Sequence, residues 1–221
     1  MELKKLFQKP EHVSKSYNIL NEVFGAVTHG IGVLLAIAGL VILIVKAAHT
    51  GDAMRIVTFT IYGCSLLTLY LCSTLYHSLS FTRARRVFRI FDHSAIFILI
   101  AGSYTPYTLV AIGGAKGWWM FSAVWFLAIF GIIYKIFNLS KHKIIDVLLY
   151  IGLGWIVILS GNDLYHTLGS TGFWLLLLGG ITYTVGALIY SMRGIPFIHV
   201  IWHVFVMIAS ALMYFSILFY V

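Results

Sequence analysis

From Val23 to Val45 the chain reads "VFGAVTHGIGVLLAIAGLVILIV", twenty-three residues in which His29 is the single ionisable side chain. Such a run restricts the fold severely. About 20 apolar residues cross the hydrocarbon core of a bilayer as a helix, and in lipid each backbone polar group needs a partner within its own segment. The run belongs to a segment at roughly 22–46, and comparable segments follow at 54–77, 88–112, 117–137, 144–162, 171–191 and 198–220. The fold class expected is an all-α integral membrane protein, a bundle of seven transmembrane helices. The short connections make residues 1–221 one domain, with 1–20 as a polar, basic N-terminal segment. That segment does not resemble a cleavable signal, and the first apolar run is too long for a signal-peptide core. No low-complexity segment stands out, and an odd number of spans argues against two equal halves.

Composition agrees: 61% hydrophobic, 10% charged and a mean hydropathy of +0.96, where a soluble domain carries about a quarter charged residues. The net charge of +8 would suggest nucleic acid if the cations were scattered. They are not. Lys4, Lys5, Lys9, Lys15, Arg83, Arg85, Arg86, Arg89, Lys135, Lys141, Lys143 and Arg193 fall on one side of the expected membrane, and Lys46, Arg55 and Lys116 on the other. The excess of basic residues in cytoplasmic loops places the N-terminus in the cytoplasm and the C-terminus outside. "RARRVFR" then reads as a cytoplasmic hairpin facing anionic lipid headgroups, and no nucleic-acid partner is expected. Trp118, Trp119, Trp174 and Tyr220 fall near the outer ends, where amphipathic rings favour the interface. Pro106 should kink the third span, with Ser103 or Thr105 able to satisfy freed backbone groups. Cys64 and Cys72 are about 12 Å apart along one helix, too far to bridge, and read as small buried hydrophobes.

Ionisable groups inside a span are functional candidates by default. His77 ends the second span, with Ser73 one turn deeper on the same face. Asp92 stands near the start of the third span, and His199 and His203 open the seventh, spaced so that both rings point one way. Three helices distant in sequence thus bring five polar residues to one depth near the cytoplasm. Three imidazoles and an open fourth position form a familiar catalytic zinc shell, and two histidines four apart on a helix can supply two ligands. A nearby carboxylate could orient or deprotonate a water on the metal, and Ser73 could hydrogen-bond the carboxylate, the water or a substrate oxygen.

Plainer readings stand beside these. His77 and His199 are close enough to a helix end to be interfacial, and Asp92 could pair with Arg89 or cap its helix. Ser73 could satisfy itself on the preceding turn. His203, a turn deeper, is the hardest to explain as packing. His12, His49, His142 and His166 fall in loops or the tail, and His93 points about 100° away from Asp92. Glu22 and His29 are candidates for a polar cytoplasmic pocket; a fourth protein ligand would make the metal structural. Gly25, Gly30, Gly32 and Gly39 serve close helix packing. "NDLYH" (162–166) lies at the opposite face.

Taken together, "THGIG", "STLYH", "FDHSAIFILIAGSYTP" and "HVIWH" resemble the hemolysin III family, the bacterial branch of the progestin and adipoQ receptor proteins, over essentially the whole chain. The resemblance implies an intramembrane Zn²⁺ held by His77, His199 and His203, with Asp92 holding a zinc-bound water and Ser73 in support. Members often carry two acidic residues before the "THG" element, where this chain has Asn21 and Glu22. More remotely the pattern is similar to alkaline ceramidases. The expectation is a multi-pass protein of a bacterial cell membrane whose partners are membrane lipids. Its function would be zinc-dependent hydrolysis of a lipid amide or ester in membrane homeostasis. The alternatives are a non-enzymatic fluidity sensor with structural zinc and a pore-forming cytolysin. The cytolysin draws little support from polar groups gathered at one face.

Overall fold

A computed structural model describes residues 14–139, 143–192 and 194–221. Lys4, Lys5, Lys9, Lys141, Arg193, His12 and His142 lie outside the described residues, as does the side chain of Lys143. The chain is helical almost throughout: α1 Lys15–Thr50, α2 Ala53–Ser78, α3 Arg85–Pro106, α4 Gly114–Phe137, α5 Lys143–Gly154, α6 Gly161–Ser191 and α7 Ile198–Tyr220. Among the described residues, six helical runs are long and apolar enough to cross a membrane. This is a multi-pass membrane protein.

Local chemistry sets the boundaries. Ser14 caps α1 by accepting the Tyr17 N–H, as N-cap serines do. Gly51 ends α1 in the left-handed conformation at φ 69°, its N–H donating to the Ala48 carbonyl. Asp52 then caps α2 by accepting the Met54 N–H, so two residues reverse the chain. At Pro106 the α-helix gives way to a π-type turn over Tyr107–Ile112, closed by a bond from Gly113 N to the Thr108 carbonyl. Proline cannot donate and crowds the preceding turn, so the expected break falls where expected. The Ser103 and Thr105 hydroxyls bond the Ile100 and Ala101 carbonyls.

The fifth and sixth apolar segments follow one another without an intervening loop, as a 48-residue helical stretch, Ile144–Ser191, that passes through a 3-10 turn over Trp155–Ser160. A straight helix of that length would reach about 72 Å, far more than a bilayer. It is not straight. Gly169 sits at φ 65°, ψ 176° within it, a conformation that only glycine adopts readily. Trp155 Nε1 donates to Thr184 Oγ1 at 3.0 Å, two residues placed about evenly on either side of Gly169. The run therefore folds back on itself at that glycine.

Helix packing follows from small residues. The buried face of α1 is Gly25, His29, Gly32, Ala36, Gly39, Leu43 and Ala47, a stripe three or four residues apart that lets neighbouring backbones approach closely. A Cβ on Gly32 would stand 2.5 Å from Tyr70 Cδ1, and one on Gly39 3.0 Å from Tyr214 Cε2. Gly30 differs, since a Cβ there meets Thr74 Cγ2 only at an ordinary 3.8 Å. Large apolar side chains such as Leu34, Leu35, Phe126 and Phe130 cover the outside, as a lipid-facing surface requires.

Two sequence readings need correction. Cys64 is exposed and Cys72 only partly buried, because Cys64 falls on the outward face of α2. Lys135 is not a loop cation: it lies within α4, 1% exposed, and its Nζ is paired with Asp146 Oδ2 of α5.

The packing makes a contrast available. Gly32→Ala should destabilise the purified protein by about 1–3 kcal/mol through overpacking against Tyr70. Gly30→Ala should stay within about 0.5 kcal/mol of wild type. Thermal unfolding in detergent reads both, and equal effects would contradict this account of the α1 stripe.

Candidate metal centre

Four helix ends converge at one end of the bundle: the first turns of α1, the last turn of α2, and the first turns of α3 and α7. The entry to α7 is held by a specific contact. Phe197 has φ 52°, alone among the described non-glycine residues in a positive value. Its N–H donates to the Tyr17 hydroxyl at 2.7 Å, and its ring packs 4.7 Å from that of Tyr17 and 5.9 Å from that of Phe24. A left-handed non-glycine residue is strained and persists where its surroundings hold it. Here the holding is done by α1, and it sets where His199 and His203 begin.

His77, His199 and His203 come together, each offering a ring nitrogen, with all three nitrogens within 4.8 Å of one another. His77 Nε2 and His199 Nε2 are 3.2 Å apart. Two nitrogens bound tetrahedrally to one zinc at about 2.0–2.1 Å would be about 3.3 Å apart, so this pair already has a chelating separation. The rings stand edge to face, with centroids 4.7–5.0 Å apart. His77 and His203 are buried and His199 half-buried. The group can hold a metal ion, and its donors, all imidazole, suit zinc, copper, iron or nickel.

Asp92 and Ser73 are both buried and line one cavity together with His199 and His203. The Ser73 hydroxyl has no hydrogen-bond partner among the described residues. The cavity, about 340 Å³, extends from this polar end past Leu69, Leu99 and Val206 to Met213. It shares Ser103, Tyr104, Trp155 and Met213 with a second, largely apolar cavity of about 200 Å³.

Further residues join the site. His29 stacks on His203 with ring centroids 3.5 Å apart and planes within 10°. It is buried, lines the cavity, and neither of its nitrogens meets a hydrogen-bond partner among the described residues. Glu22 Oε2 lies 2.8 Å from His77 Nδ1, and its other oxygen accepts from Arg85 Nη2 at 3.0 Å. Thr28 Oγ1 lies 3.0 Å from His203 Nδ1. His93 also borders the cavity despite its offset from Asp92 around α3.

The Lys135–Asp146 pair in the cavity wall carries no signal in the linear sequence, where Lys135 reads as a loop cation. Thr28 was equally hidden, because a helical threonine normally bonds its own preceding turn. At the opposite end of the bundle Lys116 pairs with Asp163 of "NDLYH".

The buried pair yields a test. Asp146→Asn leaves an uncompensated lysine and should cost about 3–5 kcal/mol, whereas the double variant Lys135→Met, Asp146→Leu should recover most of that loss. Unfolding of the three proteins in detergent decides it, and an Asp146→Asn protein as stable as wild type would refute the pairing.

Comparison with known proteins identifies the family. Residues 17–214 match the family described as haemolysin-III related. The chain is 47% identical over 203 residues to Hemolysin-3 of Bacillus cereus, covering 92% of this chain and 93% of that one. It is 47% identical over 204 residues to a Hemolysin-3 homolog of Bacillus subtilis, covering 92% and 96%. The human monocyte to macrophage differentiation factor is 30% identical over 199 residues, covering 86% of this chain and 80% of its own. With matches that span nearly the whole bundle, the chain belongs to the haemolysin-III family.

Proposed function

We propose that this protein is a seven-pass membrane hydrolase that uses a zinc ion held by His77, His199 and His203 to cleave a lipid amide or ester. The observation that carries the reading is the cavity. It has His199, His203, Asp92 and Ser73 in its polar wall and continues between apolar side chains, the shape an amphiphile with one reactive polar group requires. The fold-back at Gly169 supports two crossings within residues 144–191, which makes seven in all. The basic residues of the α2–α3 connection favour a cytoplasmic position for the site, with anionic lipid headgroups as neighbours.

Bound there, zinc supplies Lewis acidity toward a carbonyl oxygen and lowers the pKa of water. The protein's own residues do the rest. Asp92, which lines the same cavity as His199 and His203, accepts a proton from the attacking water and passes it to the leaving nitrogen or oxygen. Ser73 donates to the substrate's carbonyl oxygen or to Asp92. The apolar walls bind the acyl chain and exclude bulk water.

Purified wild-type protein should contain about one zinc per chain, and His203→Ala should lose most of it. Unchanged zinc in that variant by elemental analysis would sink the proposed ligand set. Asp92→Ala should keep the metal and lose at least about a hundredfold in turnover across a panel of lipid amides and esters. A wild type that binds zinc and turns over none of the panel favours a regulator with structural zinc.

A further inference from the structure

Helix α1 contributes none of the three nitrogens of the candidate centre, yet two of its side chains reach the far nitrogens of two of those rings. Glu22 Oε2 stands 2.8 Å from His77 Nδ1, and Thr28 Oγ1 stands 3.0 Å from His203 Nδ1. The direction of each hydrogen bond follows from what the partner can do. An ionised carboxylate only accepts, so His77 Nδ1 carries the hydrogen and its Nε2 keeps a lone pair. Thr28 Oγ1 lies 2.8 Å from the Phe24 carbonyl and 3.1 Å from that of Gly25. Those carbonyls take its one hydrogen, so toward His203 Thr28 accepts. His203 Nδ1 then donates, and its Nε2 also keeps a lone pair.

We infer that α1 is the orienting helix of this centre, with Glu22 and Thr28 as positioning residues that fix His77 and His203 in the tautomer offering Nε2 to a metal. The inference rests on the proposed metal reading. Outer partners of this kind orient a ligating imidazole and raise its basicity. Glu22 is itself held: its second oxygen accepts from Arg85 Nη2 at 3.0 Å, and the Arg85 guanidinium lies 5.7 Å from the Tyr76 ring centroid. Gly25 completes the arrangement, because a Cβ there would stand 2.7 Å from His77 Nδ1, on the atom that Glu22 holds.

The test is zinc affinity of the full-length purified protein, stripped of metal and titrated with Zn²⁺ against a competing chelator. Glu22→Ala should weaken binding by about 10–100-fold, with Glu22→Gln intermediate because its amide oxygen still accepts but carries no charge. Thr28→Val, which keeps shape and removes the acceptor, should weaken it by about tenfold, and Thr28→Ser should restore it. The metal-free Thr28 variants should melt with wild type, which separates orientation from packing. If Glu22→Ala and Thr28→Val bind zinc as tightly as wild type while His203→Ala does not bind it, the orienting role is wrong and the ligand set stands. If the wild type binds no zinc, both fail.

Discussion

At Gly25 the backbone of α1 passes so close to the ring of His77 that one added methyl group would lie 2.7 Å from its Nδ1. The rest of the polar architecture depends on this close approach. A bilayer offers no hydrophobic drive for helices to associate, so tight contact between small residues and neighbouring side chains does the work. Because α1 lies flush against α2 here, Glu22 reaches one imidazole. Because its next turn meets α7, Thr28 reaches another and His29 stacks on it. A bulkier α1 would leave buried imidazoles without partners, a costly arrangement in an apolar interior.

The same helix also governs where α7 begins. Phe197 keeps its unusual backbone conformation while its N–H is bonded to Tyr17 and its ring is wedged between Tyr17 and Phe24. That geometry presents His199 and His203, one turn apart, toward His77. Cooperation between α1 and α7 is thus built in at two levels, the backbone entry and the side-chain hydrogen bond. The cavity opens from this junction into the apolar bundle, with a polar end and largely apolar walls beyond it.

Much of this was legible in the linear sequence, for physical reasons that also explain the gaps. Apolar runs of bilayer length located the helices to within a few residues at most ends. Polar residues stranded inside such runs are few, and His77, His199 and His203 could be grouped once loop charges gave each helix a direction. Asp92 and Ser73 followed by depth, and both line the same cavity. What stayed hidden was pairing between side chains. Lys135 looked like one more loop cation, and nothing in its neighbours revealed Asp146 across the cavity wall. Thr28 had an ordinary local partner and gave no sign of a second. The backbone break at Gly169 lies between the apolar runs 144–162 and 171–191, where hydropathy marks a boundary but not its geometry.

In the proposed centre, three imidazoles from two helices would hold one zinc ion, poised by a third helix. X-ray absorption at the zinc edge of the purified wild-type protein tests it most directly. The expected spectrum shows a first shell of nitrogen and oxygen only, at about 2.0–2.1 Å, with outer-shell scattering from about three imidazole rings. A shell containing sulfur, or one with fewer than two imidazoles, would contradict it.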